Sequence, residues 1–166
     1  MALCLFIDLV EQYFHYLIDD YGFSVVAERY SPKYMGNAQV VYESSSVGIS
    51  IVLDRGEVLI NLGPRSRPRH DWFEFTDVVH YFAPNLEPVY VFPQDQFPHE
   101  VMDPRVIQDF QVSRLAQIMH QHCEPILRGD LSMQTRIQEL EGNRAAEMLE
   151  EFSRLSQEYR KKHPRS

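Results

Sequence analysis

The chain has 166 residues, of which 44% are hydrophobic and 24% charged, and these proportions exclude a disordered or collagen-like chain. Its formal net charge of −8 comes from residues 1–100, which hold 14 acidic and 6 basic side chains, whereas residues 101–166 hold 10 of each. An acidic surface repels phosphate backbones, so this balance disfavours nucleic acid as a partner and favours a basic protein.

The first predicted element is an amphipathic helix that ends at Tyr21-Gly22. Apolar side chains recur at steps of three and four residues between residues 3 and 18, and they therefore share one face. Gly22 suits the left-handed conformation that closes a helix. We expect the apolar face of this helix to cover a sheet.

Four strands are predicted next, because β-branched and aromatic residues alternate with polar ones over residues 24–30, 38–43, 47–53 and 58–62. Residues 54–57 form a glycine-containing turn, so the last two strands make a hairpin. The third strand places four apolar side chains on the face that the helix should cover: Val47, Ile49, Ile51 and Leu53. The pattern predicts an antiparallel meander of four strands under the first helix.

Helical spacing returns at Asp71, which we expect to cap a helix that ends before Ala83-Pro84. The apolar face of this helix would consist of Trp72, Phe75, Val78, Val79 and Phe82. Residues 84–104 contain five prolines, which predict a connector without a helix.

Two long helices complete the prediction. Asp103 and Pro104 are typical of a helix start, as cap and first-turn proline. The second helix is expected after Gly129-Asp130 and runs towards Tyr159. The chain is thus predicted to be an α+β protein: residues 1–100 form the α+β domain with its proline-rich connector, and residues 101–166 form a helical C-terminal arm packed on the domain or on a partner.

The last helix carries an apolar stripe that we treat as a candidate partner-binding surface. Its members recur at helical spacing: Met148, Phe152, Leu155 and Tyr159. Such a stripe folds back on its own domain, pairs with a second copy of the chain, or docks on another protein. Folding back on the domain is the expected outcome, and pairing and docking are the alternatives.

An arginine-rich loop is the candidate ligand-binding site. Arg65, Arg67 and Arg69 alternate between prolines and are followed by His70, just before the predicted helix start. Arginines beside a helix N-terminus suit an anion, with Trp72 and the hairpin-turn residue Arg55 as further candidate contacts. The alternative is a solvated loop whose arginines pair with the acidic residues of the chain itself.

Signatures of catalysis, cofactors and metals are missing from the sequence. It has no phosphate-cradling glycine loop, no paired metal thiols, no zinc helix motif and no nucleophile elbow. His120, His122 and Cys123 approach a metal-ligand pattern, but on a helix only His120 and Cys123 share a face. We therefore expect no metal and no cofactor, and no catalytic residue is assigned.

Compartment is predicted from the chain start and the cysteines. The apolar first ten residues lack the basic region and the small-residue cleavage site of a signal peptide, and Asp8, Glu11, Asp19 and Asp20 interrupt the apolar character of the N-terminal stretch. Cys4 and Cys123 lie far apart in sequence, as expected for two reduced thiols. These features predict a cytoplasmic protein without a membrane contact.

Three short stretches carry a resemblance: Tyr21-Gly22-Phe23, Gly36-Asn37 and Asp54-Arg55-Gly56, with Trp72 following. Over roughly the first 80 residues the chain resembles a group of small bacterial proteins of no known activity, which implies a helix-plus-meander fold and carries over no functional residue. Residues 101–166 lie outside this resemblance. In outline the chain is also similar to toxin-immunity proteins, an analogy of fold and charge.

The preferred hypothesis is a non-enzymatic protein-binding module of immunity or accessory-subunit type, acting through its acidic surface or its C-terminal helix. The alternative is an anion-binding sensor or enzyme with a site in the loop from Arg65 to Trp72. A third hypothesis, contact with nucleic acid through Lys161, Lys162 and Arg165, must overcome the net negative charge.

Overall fold

A computed structural model describes residues 5–33, 36–86, 88–90 and 103–163 of the chain. The strands are β1 Ser24–Ser31, β2 Asn37–Glu43, β3 Val47–Asp54, β4 Glu57–Pro64 and β5 Phe73–Glu74. The helices are α1 Leu5–Tyr13, α2 Tyr16–Tyr21, α3 Phe75–Phe82, α4 Pro104–His122, α5 Glu124–Leu127 and α6 Gln134–Lys162, with a short 3-10 turn at Arg69–Asp71.

The described strands form one antiparallel sheet in the order β1-β2-β3-β4-β5. The predicted α+β class and four-stranded meander are confirmed. The fifth strand was not predicted, because it contributes only two residues at the edge of β4. Its shortness also means that most of the outer edge of β4 needs other partners.

The hairpin between β3 and β4 has the turn that its sequence predicts. Asp54 lies opposite Glu57, and the two residues between them, Arg55 and Gly56, have φ angles of 51° and 88°. Two successive positive φ angles give the turn whose twist matches that of the flanking strands. This register continues along the hairpin and places Gly48 opposite Gly63.

One hydrophobic core lies between the sheet and the helices. Val47, Ile49, Ile51 and Leu53 are at most 5% exposed, so the predicted buried face of β3 is confirmed. The C-terminal helical region contributes to the same core through Val112, Leu115, Ile118, Met119, Ile126, Leu127, Met133 and Ile137. Helix α4 and the start of α6 are therefore built into the fold.

The predicted N-terminal helix is interrupted. Phe14 and His15 separate α1 from α2, and the Leu17 amide donates to the Phe14 carbonyl only three residues back. This tighter turn redirects the chain while Phe14 and Leu17 stay fully buried. The predicted end is confirmed, because Gly22 closes α2 with a φ of 70° and donates its amide to Leu17.

The helix predicted from Asp71 begins later, at Phe75. Phe73 and Glu74 pair instead with Leu62 and Asn61 of β4, which holds the backbone extended at this point. The prediction that Asp71 caps this helix and that Trp72 lies on its apolar face is therefore wrong. The predicted end is right, since α3 stops at Phe82.

Helix α4 begins as predicted and closes part of the sheet edge. The Asp103 carboxylate accepts the Arg105 amide at 2.9 Å, which confirms the predicted cap. Farther along α4, the Gln111 side chain accepts the Val58 amide at 3.0 Å, so an outward-facing group of β4 has a partner.

Three features predicted from the sequence fall outside the described residues, wholly or in part. The proline-rich connector falls mostly on residues 91–102, and Cys4 and Arg165 also lie outside.

Candidate functional site

The arginine loop, residues 63–70, lies against the end of β2. The Arg65 Nε atom is 3.1 Å from one carboxylate oxygen of Glu43, and an Arg69 nitrogen is 3.5 Å from the other. Arg65 also donates to the Ser44 carbonyl at 3.4 Å. The structure thus brings two of the predicted arginines together, and it does so around a carboxylate of the chain itself.

Trp72 holds this loop onto the sheet. Its indole N–H donates to the Pro64 carbonyl at 3.0 Å and to the Arg67 carbonyl at 3.3 Å, and only 5% of the residue is exposed. The ring fills a slot left by paired glycines, because a Cβ built on Gly48 would lie 2.1 Å from it and one on Gly63 would lie 3.0 Å from it. Trp72 therefore packs against the backbone of the two paired glycines.

The remaining candidate ligand residues are spread apart. The His70 side chain is 80% exposed and lies 3.5 Å from the carboxylate of neighbouring Asp71. Arg55 lies in the turn at one end of the β3–β4 hairpin, whereas Arg65 follows the other end. A shallow depression beside Arg65 is lined by Ser45, Ser46, Arg65, Ser66 and Leu131.

A second cluster, which the sequence did not reveal, fastens α6 to the domain; we call Glu74, Asp77 and Arg144 the anchor cluster. The Arg144 guanidinium donates to Asp77 at 2.8 Å and also to Glu74. Asp77 is 1% exposed, and its burial raises its pKa even though Arg144 lowers it in part. Burial likewise raises the pKa of Glu141, one turn before Arg144.

The anchor cluster divides α6 into two parts. In residues 134–144, the anchored segment, Ile137 is fully buried and Leu140 is half-buried. In residues 145–162, the free segment, Ser156 is half-buried and every other residue is exposed. The helix therefore continues for 18 residues past its last attachment to the described domain.

The free segment carries the predicted apolar stripe, which does not fold back on the described part of the domain as expected. Exposed fractions are 64% for Met148, 71% for Phe152, 50% for Leu155 and 65% for Tyr159, and Leu149 beside them is 69% exposed. Met148 follows Ile137 by 11 residues, which is about three helical turns. The stripe is thus the continuation of the buried face of the anchored segment, and it extends beyond the domain.

Acidic and basic residues are separated along the free segment. Residues 145–153 contain three glutamates, Glu147, Glu150 and Glu151, and no basic residue. Residues 154–163 contain four basic residues and one acidic residue, Glu158. The segment is therefore acidic at its base and basic near its end.

His120 and Cys123, at the end of α4, serve packing. The His120 ring stacks on Tyr16 with centroids 4.3 Å apart. Cys123 is fully buried, and burial raises the pKa of its thiol to about 12, so the reactive thiolate is disfavoured. Among the residues that the structure describes, no group of three histidine, cysteine or acidic side chains is placed to hold a metal.

The described helices include none that combines the length and the apolar character needed to cross a membrane.

Comparison with known proteins adds no family to this picture. The chain matches no family model, no curated protein and no solved structure.

Proposed function

We propose that the chain is a non-enzymatic protein-binding module that acts through the apolar face of its free segment. The observation that carries this proposal is the exposure of five large apolar side chains on one helix, with Phe152 71% exposed. Burying one such side chain stabilises by about 1.5–3 kcal/mol, so a partner that covers several offsets the loss of freedom on association.

The anchored segment supports the same proposal. Arg144, Ile137 and Met133 hold the start of α6 on the domain, so the helix direction is fixed before a partner arrives. A preformed helical face loses less conformational entropy on binding than a disordered peptide does. Helix faces with this spacing bind in grooves or against other helices.

Exposed acidic residues of the domain are candidates for steering a partner towards the chain. Asp8, Glu11, Asp19 and Asp20 are exposed on the N-terminal helices. Glu43, by contrast, is already paired with Arg65 and Arg69. Charges of one sign speed the approach of an oppositely charged surface more than they strengthen the complex. We therefore assign the binding energy to the free segment, and these acidic residues would speed approach only where the facing surface of the partner is basic. An immunity-type or accessory-subunit role is the hypothesis within this class.

Photo-crosslinking in cells that produce the chain tests the proposal. A photoreactive phenylalanine analogue replaces Phe152 on the apolar face, and in a matched control it replaces Gln157, which is exposed on the opposite face. We expect a crosslinked protein from position 152 that is absent from position 157. Its identity is established by mass spectrometry of the crosslinked peptides.

The outcomes of this experiment separate cleanly. A crosslinked protein that depends on the apolar face supports the proposal whether it is a second copy or a different chain. The absence of any protein crosslinked at position 152, with the variant folded and abundant, contradicts it. Equal crosslinking from both positions also contradicts it, because the contact would then be independent of the apolar face.

A second candidate function, binding of an organic or inorganic anion, is favoured by the depression beside Arg65. Three serines and a guanidinium supply donors for phosphate or carboxylate. An anion there competes with Glu43 for the Arg65 guanidinium.

Thermal shift with inorganic phosphate and with nucleotides tests this candidate. We expect stabilisation that disappears in Arg65→Gln/Arg69→Gln and persists in Arg55→Gln, whose side chain belongs to the far turn. An unchanged melting temperature with all these anions counts against an anion site.

A further inference from the structure

We infer that the free segment pairs with the free segment of a second copy of this chain, with the two helices antiparallel. The inference rests on the proposed function, because it names the partner of the same apolar face. It is carried by the spacing of that face, the charge arrangement along it, and the position of the acidic domain.

The spacing is that of a two-helix seam. Apolar residues occur at alternating steps of three and four along the exposed face: Ala145, Met148, Phe152, Leu155 and Tyr159. Side chains at these steps fit between those of a facing helix with the same spacing. The free segment of a second copy offers that spacing with the same length and exposure.

Charge selects the orientation. Residues 145–153 have a net charge of −3, and residues 154–163 have a net charge of +3. In an antiparallel pair each acidic stretch lies beside the basic stretch of the other copy, whereas a parallel pair sets acid against acid and base against base. The opposed helix dipoles favour the antiparallel pair as well.

The domains favour the same orientation. Residues 1–100 carry a net charge of −8, so two copies of the domain repel each other. A parallel pair would place both domains at one end of the paired helices. An antiparallel pair separates them by the length of the free segment, roughly 27 Å for a helix of this length.

The antiparallel arrangement has a definite register. With Phe152 facing Leu155 of the second copy, Met148 faces Tyr159 of that copy, and each contact occurs twice by symmetry. In this register Arg160 and Lys161 of one copy lie level with Glu147 and Ala146 of the other. A seam of about two heptads is short, so we expect a dissociation constant in roughly the micromolar range.

Sedimentation velocity of the full chain over a range of concentrations tests self-association. We expect a reversible dimer of twice the 19.5 kDa chain mass. Its dissociation constant should increase as the salt concentration rises from about 0.05 to 0.5 M. Leu155→Glu places a carboxylate in the seam and should raise the dissociation constant at least about tenfold. Gln157→Glu adds the same charge on the opposite face and should leave dimerisation within about twofold of the parent.

Paired spin labels test orientation. A label at Ser153, near the centre of the pair, should give a short distance between copies in either orientation. A label at Lys161 is offset from its copy by roughly 22 Å along the helix axes if the helices are antiparallel, which gives a longer distance than at Ser153. In a parallel pair the two labels lie level, and the distance is similarly short.

Each result either supports or overturns the inference. Monomers at every concentration up to about 100-fold above the expected micromolar constant overturn it, as does a dimer that Leu155→Glu leaves intact. Short distances at both labels overturn the antiparallel orientation. If the chain is monomeric while Phe152 still crosslinks to a different protein, only the self-pairing fails; if Phe152 crosslinks to nothing, the proposed function fails too.

Discussion

Helix α6 places two regions of nearly identical periodicity in opposite environments. In the anchored segment the apolar face meets the domain, and Arg144 ties it to Asp77 and Glu74. In the free segment the same face is exposed to solvent, although it carries the large apolar side chains that are typical of a buried helix face. The apolar pattern of a helix therefore indicates which face can be buried, while the surrounding structure decides what buries it.

Truncation of one apolar side chain in each segment should change the free energy of unfolding by very different amounts. Ile137→Ala removes a fully buried side chain and should lower the free energy of unfolding by about 2–5 kcal/mol. Leu155→Ala, in the free segment, should change it by less than about 0.5 kcal/mol. Urea unfolding at a concentration where the chain is monomeric measures both. Similar losses in the two variants would mean that Leu155 is packed within the monomer.

The ion pairs of the two segments should differ in the same way. Arg144→Gln leaves the buried Asp77 carboxylate without its cation, at an expected cost of about 1–3 kcal/mol, reduced because the arginine itself is one-third exposed. Arg154→Gln removes an exposed pair with Glu151 at 3.8 Å and should cost less than about 0.5 kcal/mol. Equal costs in urea unfolding would show that the anchor cluster does not hold α6.

Stability should depend on pH through Asp77. Burial raises its folded-state pKa above 3.8, so ionisation destabilises the fold; the cost is absent below 3.8 and is fully present once the pH exceeds the folded pKa. Glu74, His80, Glu141 and Arg144 act on this carboxyl.

Asp77→Asn cannot ionise, so the stability of the parent relative to this variant should fall as pH rises. Urea unfolding between about pH 4 and 7 measures this difference, which includes the coupling of Asp77 to Glu141, because the Asp77 charge also raises the pKa of Glu141. If the stability of the parent relative to Asp77→Asn stays constant or increases as pH rises, the raised pKa given for Asp77 is contradicted.

A substitution of Gly142, at the junction of the two segments, should change stability only slightly. A Cβ at Gly142 would meet nothing within 4 Å, so Gly142→Ala should stabilise the helix by about 0.5–1 kcal/mol and raise helicity slightly. Far-ultraviolet circular dichroism during heating is the measurement. A loss of helicity would indicate that the chain needs glycine at this junction.

Local patterns in the sequence predicted most of the fold. The hairpin turn at Arg55-Gly56, the left-handed Gly22 and the Asp103 cap depend on interactions within a few residues, and all were predicted. Trp72 was misplaced because its spacing fits a helix, although the hairpin register alone pairs Gly48 with Gly63 and leaves a slot for a large ring.

The anchor cluster could not be predicted in the same way. Asp77 and Arg144 are 67 residues apart, and neither periodicity nor composition indicates that they meet. The candidate arginines were visible in sequence, but their partner Glu43 belongs to another strand. Exposure of the stripe depends on where the domain ends, so the sequence left three alternatives for it.

Hydrogen exchange along α6, measured as a function of protein concentration, tests the claim that only a second copy covers the free segment. Amides of residues 134–144 should be protected at every concentration, whereas those of residues 145–162 should exchange quickly in dilute protein and gain protection as dimers form. In Leu155→Glu the gain of protection in residues 145–162 should be absent. Strong protection of residues 145–162 in dilute protein would mean that the monomer already covers its apolar face, and would contradict the claim.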